Sequence, residues 1–343
     1  MQHIFKKLYK LESLDQEESY RLFNSIISGK INEIQLSSIL TAMHVRHESI
    51  EEILGAIGAC LKAMKFFPRP NYIFADIVGT GGDSKNTINI STASAFTASH
   101  LGFKIIKHCN KGVSSKSGSS DILKKFKINL NPSIQSSLKT LDQLNICFLF
   151  APKYHDGFQY VSKIRKTLKI KTIFNLLGPF LNPSRPFFTV IGVYKKDLIN
   201  PMVEILKKLK YQRGIIIHSD GTDEVTLNGI TYVSELLNKK IHSYQLEAKD
   251  FGLKEHIKPI HAVSSQEESY NIIKKTLQGK GDRLYEELIA VNVAILLKIF
   301  GYEDLKKNTK MVLNKIRSGE IYKHIIKISN MLKEDEYGRN NTK

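Results

Sequence analysis

Tryptophan is absent from the 343 residues, and cysteine is scarce: Cys60, Cys109 and Cys147 are odd in number, far apart and without a C-x-x-C pair. That excludes a disulfide framework and a zinc knuckle, and fits a reducing compartment. Long hydrophobic runs are missing too. The longest apolar segment, 288–300, is broken by Asn292 and Lys298 and is too short to span roughly 30 Å of hydrocarbon as a helix, so no membrane partner is expected. The opening stretch MQHIFKKLYKLESLDQEE carries charges every few positions and never the apolar run of about 7–15 residues that a secretory signal needs, so a cytoplasmic protein is expected. Acidic residues are few beside basic ones, 33 Asp and Glu against 51 Lys and Arg, for a formal net charge of +18. The lysines are scattered, and no RNP, helix-turn-helix or zinc-finger pattern accompanies them. The excess therefore reads as a solvated basic surface, and no nucleic-acid partner is expected.

What is present is the composition of a packed globular protein, 42% hydrophobic and 24% charged, with room for about two domains at roughly 150 residues each. From 11 to 67 apolar residues recur with helical period, as Leu22, Phe23, Ile26, Ile27, then Leu36, Ile39, Leu40, Met43, then Ile53, Leu54, Ile57, Leu61, which predicts three helices. Gly29 reads as a stop, Asn32 as a cap, and Ser49 with Glu52 as a capping box. The segment FFPRPN at 66–71 ends this block, because Pro68 and Pro70 cannot continue a helix. Beyond it short β-rich runs at 72–78, 103–109, 146–152, 188–194 and 214–219 alternate with helix-length segments. The expected fold is α/β with a small all-helical domain, its central sheet mostly parallel and flanked by helices. The expected domains are a helical one over 1–70, to which 160–187 crosses back, and an α/β one over 71–343. Small-molecule sites are common in a cleft between such domains.

Three loops carry the chemistry. In GTGGDSKNTINIST at 79–92, Gly79, Gly81 and Gly82 free the backbone for close approach, and Ser91-Thr92 reads as the N-cap of a helix starting at Ala93. A tight strand-to-helix turn and a phosphate cradle both fit this run, which is neither a Walker A loop nor a dinucleotide fingerprint. KHCNKGVSSKSGSSD at 107–121 combines lysine, hydroxyl and glycine. A linker would look similar, but the segment follows a predicted strand, where ligands bind in open α/β sheets. SDGTDEVTLNG at 219–229 presents Asp220, Asp223 and Glu224, a solvated turn or, opposite phosphate loops, ligands for Mg²⁺. Arg165, between Lys163 and Lys166 on a basic helix, has the forked geometry to hold a carboxylate. His108 and His155 lie nearest these loops in sequence, and neither is assigned as a catalytic base.

The ordered set GTGGD with NIST, KHCN…VSSKSGS, TIFNLLGPFLNP and DEVTLNG resembles the anthranilate phosphoribosyltransferase family of tryptophan biosynthesis, and the resemblance spans nearly the whole chain, including QGKGD at 278–282. It implies a pentosyltransferase that moves the 5-phosphoribosyl group of phosphoribosyl pyrophosphate (PRPP) to the amino group of anthranilate, giving N-(5-phosphoribosyl)anthranilate and pyrophosphate. It implies the fold shared with pyrimidine nucleoside phosphorylases, a class II phosphoribosyltransferase-like architecture, as a homodimer formed through the helices. Association with an anthranilate synthase is a further implied partner. By matching positions, PRPP would be lined by Gly79, Gly82, Asp83, Thr87, Asn89, Ile90, Ser91, Thr92, Lys107, His108, Cys109, Asn110, Lys111, Gly112, Val113, Ser114, Ser115 and Ser119. Anthranilate would meet Gly79, Asn110 and Arg165, while Ser91, Asp223 and Glu224 would ligate Mg²⁺ as two ions, one travelling with PRPP.

No catalytic base is assigned, because an aromatic amine is neutral at pH 7 and needs positioning more than deprotonation. Lys107 and the metal would stabilise the leaving pyrophosphate. The chain departs from the family pattern at Cys109, Lys111 and Ser120, where glycine, arginine and alanine are usual; a Cβ at Cys109 and the lost fork at Lys111 are expected to lower affinity and rate. The H-S-T-G-G-V-G-D type loop of the nucleoside phosphorylases is not found.

Overall fold

The structure, a computed structural model, describes residues 1–82, 85, 87–111, 118–256 and 262–340. Its packing divides the chain into two units, Met1–Pro68 with Ala151–Arg185, and Arg69–Phe150 with Pro186–Lys343. The returning segment begins at Ala151 and ends at Arg185, against the expected 160–187.

The chain opens with α1 (Gln2–Tyr9), α2 (Gln16–Ile27), α3 (Glu33–Arg46) and α4 (Ile50–Ala63). The periodicity predicted the last three. Helix α1 is an addition, and it buries only Ile4 and Leu8. Each predicted boundary has its cap: Asn32 accepts the Gln35 N–H, Ser49 and Glu52 form the capping box, and Gly29 follows α2 at φ 69°. A Cβ on Gly29 would meet the Tyr160 ring at 2.8 Å, so the position needs glycine for its contact as well as its φ.

There follow β1 (Ala75–Gly79), α5 (Ile90–His100), β2 (Ile105–Cys109), α6 (Ser119–Lys125), α7 (Ile134–Leu144) and β3 (Ile146–Phe150). Then α8 (Ala151–Tyr154), α9 (Gln159–Leu168) and α10 (Ile173–Leu177) return to the helical unit. There Phe174 packs on Phe23 of α2 with ring centroids 5.7 Å apart. The α/β unit is completed by β4 (Phe188–Gly192), α11 (Ile199–Lys208), β5 (Arg213–Ser219), β6 (Thr231–Leu237), β7 (Lys240–Leu246), α12 (Gln266–Leu277), α13 (Arg283–Ile299), α14 (Leu305–Arg317) and α15 (Glu320–Asn340).

Among the described residues the sheet has seven strands in the order β3-β2-β1-β4-β5-β6-β7. The first five are parallel, and β6 and β7 pair antiparallel at one edge. The chain winds from β1 outward to β3, then returns to the other side of β1 as β4. The ends of β1 and β4 therefore diverge at a topological switch point, the place where open α/β sheets bind ligands.

Candidate active site

Three loops leave the ends of β1, β2 and β5. The first leaves β1 with Gly81 and Gly82 at φ 63° and 80°, both in the left-handed region that favours glycine. The second leaves β2, and the third joins β5 to β6. The third folds back over the first: the Asp223 carboxylate accepts the Gly81 N–H at 2.7 Å, and it lies so close to Gly79 that a Cβ there would sit 2.2 Å from Oδ2. The Asp223 backbone is pressed equally close to β4, since a Cβ on Gly192 would lie 1.6 Å from the Asp223 carbonyl oxygen. Glycine at 79 and 192 is therefore what lets this carboxylate reach the strand ends. Beside it the Thr87 hydroxyl donates to Glu224 Oε2 at 3.5 Å, and the Glu224 N–H is held by Thr222 Oγ1 at 3.0 Å.

Lys107 lies beneath the loops on β2, 1% exposed. Its ammonium donates to the Ile77 carbonyl at 2.5 Å and to the Ser91 hydroxyl at 3.1 Å. Burial pushes its pKa down, and the carboxylates of Asp76, Glu224 and Asp223 push it back up. Asn89 Nδ2 reaches Ser119 Oγ at 3.4 Å, linking the first loop to the start of α6. The structure thus brings Gly79, Thr87, Asn89, Ser91, Lys107, Ser119, Asp223 and Glu224 into one neighbourhood of hard oxygen donors around a buried cation.

Other expectations fall out differently. Helix α5 starts at Ile90, capped by Asn89, whose Oδ1 accepts the Thr92 N–H at 3.0 Å. Ser91-Thr92 is therefore not the cap, because the Asn89 side chain already satisfies that N–H. Ile90 and Thr92 are fully buried. Cys109 points into the core, its thiol donating to the Leu149 carbonyl at 3.5 Å and pushed by burial to a pKa of about 12. His108 is 8% exposed, whereas Asn110 and Lys111 are exposed. Asp220 belongs to a turn at φ 44° and pairs with Lys85 at 3.4 Å, apart from the Asp223–Glu224 pair in role. His155 lies in the helical unit and donates Nε2–H to the Leu181 carbonyl at 2.9 Å, a structural bond. QGKGD is a turn: a Cβ on Gly279 would strike the Arg317 carbonyl at 2.4 Å, and Asp282 caps α13. Asp83, Gly112, Val113, Ser114 and Ser115 lie outside the described residues.

Arg165, on α9 of the helical unit, donates to Asn175 Oδ1 at 3.1 Å and stands 5.7 Å from the Phe174 ring centroid. Its Nε is buried without a hydrogen-bond partner among the described residues. Burial alone pulls its pKa to about 10, still high enough for a full charge at neutral pH. Its neighbours are ordinary by contrast: Lys163 pairs with Glu33 at 2.9 Å on the exposed face.

Two residues of this arrangement were not anticipated. Gly192 gave no signal beyond a strand end, and Asn292, whose Oδ1 accepts the N–H of Val225 next to Glu224 at 3.0 Å, was legible only as a polar break in an apolar run.

The comparisons with known proteins agree on one kind of enzyme. The family described as "Glycosyl transferase family, a/b domain" matches residues 71–322, and "Glycosyl transferase family, helical bundle domain" matches residues 2–64. The anthranilate phosphoribosyltransferase of Buchnera aphidicola subsp. Schizaphis graminum (strain Sg) is 73% identical over 335 residues, 98% of this chain and 100% of the relative. Among solved structures, the anthranilate phosphoribosyltransferase of Thermus thermophilus superposes with a TM-score of 0.87 at 29% identity, over 96% of this chain and 99% of that one. The Saccharomyces cerevisiae enzyme in complex with PRPP and Mg gives 0.85 at 31% identity, over 96% and 98%.

Proposed function

The chain belongs to the anthranilate phosphoribosyltransferase family, and from that premise we propose how its residues divide the work. The reaction forms a bond from the amino nitrogen of anthranilate to C1 of the ribosyl 5-phosphate and breaks the bond from C1 to pyrophosphate, which leaves with the electron pair; the nitrogen gives up one proton to the pyrophosphate or to water. Three tasks follow: hold PRPP, stabilise the departing pyrophosphate, and aim the amine.

PRPP binds over the switch point, along Gly79, Gly82, Asp83, Thr87, Asn89, Ile90, Ser91, Thr92, the segment from Lys107 to Ser115, and Ser119. The observation that carries this reading is the Asp223–Glu224 pair folded onto the β1 loop beside Lys107. Those two carboxylates and the Ser91 hydroxyl are hard oxygen donors, and the side-chain-free Gly79 leaves Asp223 the room it occupies. Such a set fits Mg²⁺, which takes one or two carboxylates and completes its shell with water and phosphate oxygens. The yeast complex with PRPP and Mg supports Mg²⁺ use; two ions, one arriving with PRPP, complete the proposal. When bound, Mg²⁺ offsets negative charge on the phosphates.

Lys107 adds a fixed positive charge beneath the same oxygens and needs no reorganisation as the pyrophosphate leaves. Cleavage of the C1 bond builds an oxocarbenium-like centre, and the neutral aromatic amine is ready to attack it. Arg165 supplies a fork for the anthranilate carboxylate, supported by its buried Nε and the absence of any carboxylate partner among the described residues. Asn110 and Gly79 contact the same substrate.

A homodimer formed through the helical unit, as the resemblance implies, belongs to the same reading. Association with an anthranilate synthase and a cytoplasmic location complete the reading. No helix among the described residues is long and apolar enough to cross a membrane. The test is anthranilate fluorescence against time with the purified protein. Loss of signal only when PRPP and Mg²⁺ are both present is the expected result; no loss in a folded sample would overturn the assignment.

A further inference from the structure

Helix α13 is buried on all sides between Leu288 and Leu297, and one polar side chain interrupts that stretch, Asn292, 3% exposed. An amide in such a place is costly unless it is paired, and here it is paired in full. Oδ1 accepts the Val225 N–H at 3.0 Å, while Nδ2 donates to the Val225 carbonyl at 2.9 Å and to the Leu288 carbonyl, one turn back, at 2.9 Å. Gripping the N–H and the C=O of a single residue fixes the peptide planes on both sides of it. The first of those planes joins Val225 to Glu224, and Asp223 stands one residue further on.

The backbone of the turn that carries the carboxylates is thus hydrogen-bonded at two points. Thr222 Oγ1 holds the Glu224 N–H and Asn292 clamps Val225, while the missing side chain of Gly192 leaves room for the Asp223 carbonyl at the end of β4. The Thr222 bond belongs to the turn itself. The Asn292 bonds come from a helix in the middle of the α/β core, so the carboxylate pair inherits the rigidity of that helix. Only a side chain with one donor and one acceptor, at this length, serves both Val225 groups. Aspartate would set oxygen against the Val225 carbonyl, leucine offers neither group, and glutamine reaches one methylene too far.

We propose that Asn292 is a positioning residue that presets the Asp223–Glu224 carboxylates for metal by clamping Val225 from helix α13. The inference rests on the metal-holding role proposed above for those carboxylates. Supporting groups behind metal ligands typically change affinity by about 10–100-fold when removed, and that is the effect expected here.

The experiment uses the full chain and the variants Asn292→Leu, Asn292→Asp, Asn292→Gln and Glu224→Gln. Each is titrated with Mn²⁺ in the presence of PRPP, with free Mn²⁺ read by electron paramagnetic resonance against a blank of PRPP alone, and the Mg²⁺ dependence of turnover is measured alongside. Asn292→Leu and Asn292→Asp are expected to weaken Mn²⁺ binding and to raise the half-saturating Mg²⁺ by about 10–100-fold. At saturating Mg²⁺ their kcat recovers to within about threefold, with the KM for anthranilate unmoved. Asn292→Gln falls between them and the parent, and it carries the comparison if the leucine variant does not fold. Loss of Mn²⁺ binding in Glu224→Gln with parental binding in folded Asn292 variants would overturn the positioning role alone. Parental binding in Glu224→Gln would overturn the metal-holding reading beneath it. A kcat deficit in the Asn292 variants that saturating Mg²⁺ does not recover would reduce Asn292 to a structural residue.

Discussion

Lys107 in the α/β unit and Arg165 in the helical unit are both cations drawn out of water, and their surroundings are opposite. Lys107 donates to a carbonyl and a hydroxyl and feels the carboxylates of Asp76, Glu224 and Asp223. Arg165 donates to a neutral amide, has a buried Nε without a partner among the described residues, and feels burial alone. Removing one partner of a buried charge cluster leaves the others uncompensated, whereas removing an arginine with no carboxylate partner among the described residues strands no opposite charge. The first arrangement suits a charge that must already be in place when pyrophosphate departs. The second suits a charge that selects an incoming carboxylate.

The largest expected effect comes from emptying the carboxylate side of the Lys107 cluster. Asp223→Asn with Glu224→Gln should cut Mg²⁺-dependent turnover by on the order of 10³-fold, as several kcal/mol of charge stabilisation are lost. A stopped-flow or fluorescence assay reads this, and an active double variant would remove the metal role. Next is the asymmetry in stability. Lys107→Met removes a buried positive charge that the carboxylates of Asp76, Glu224 and Asp223 feel and should cost about 3–5 kcal/mol, whereas Arg165→Met should stay within about 1 kcal/mol of the parent. Urea midpoints followed by circular dichroism compare the two, and equal shifts would erase the distinction.

The smallest effect sharpens the comparison with a pair of residues that behave alike. His155 in the helical unit and His324 in the α/β unit are both held by burial at a pKa of about 4, below the ordinary 6.5. His155 donates to the Leu181 carbonyl, and His324 meets Ser99 Oγ at 3.1 Å. Because the unfolded chain takes up these protons first, the two histidines' contribution to stability is constant above pH 6.5 and declines between 6.5 and 4, by up to about 3 kcal/mol for each, while the Glu48 carboxyl, raised by burial to about 7, works in the opposite direction. His155→Gln should flatten that decline in thermal melts between pH 7 and 4; melts that remain parallel to the parent would count against it.

Much of this was legible in the sequence, because the signals were local. Asn32, Ser49 and Glu52 announced their helix starts, and the β-rich runs announced the parallel strands. The β6–β7 hairpin was not announced. Its turn is Asn238-Lys239, both at positive φ (50° and 64°) without the glycine that usually marks such a turn, and β7 is an exposed edge strand rich in polar residues. In the site, the loops could be read from glycine and carboxylate spacing. The closeness of Asp223 to Gly79, residues far apart in the chain, could be expected only through the resemblance. Asn292 shows the limit most clearly: its role depends on which backbone its amide meets, and no pattern of neighbours along α13 encodes that.

The most direct test of the two-cation account is steady-state kinetics of Arg165→Met with anthranilate and PRPP varied in turn. The account predicts that the KM for anthranilate rises by about 10–100-fold while the KM for PRPP and the circular dichroism spectrum are unchanged, as expected when a forked charge-assisted contact to one substrate is removed. An unaltered KM for anthranilate, or an equal rise for both substrates, would contradict it.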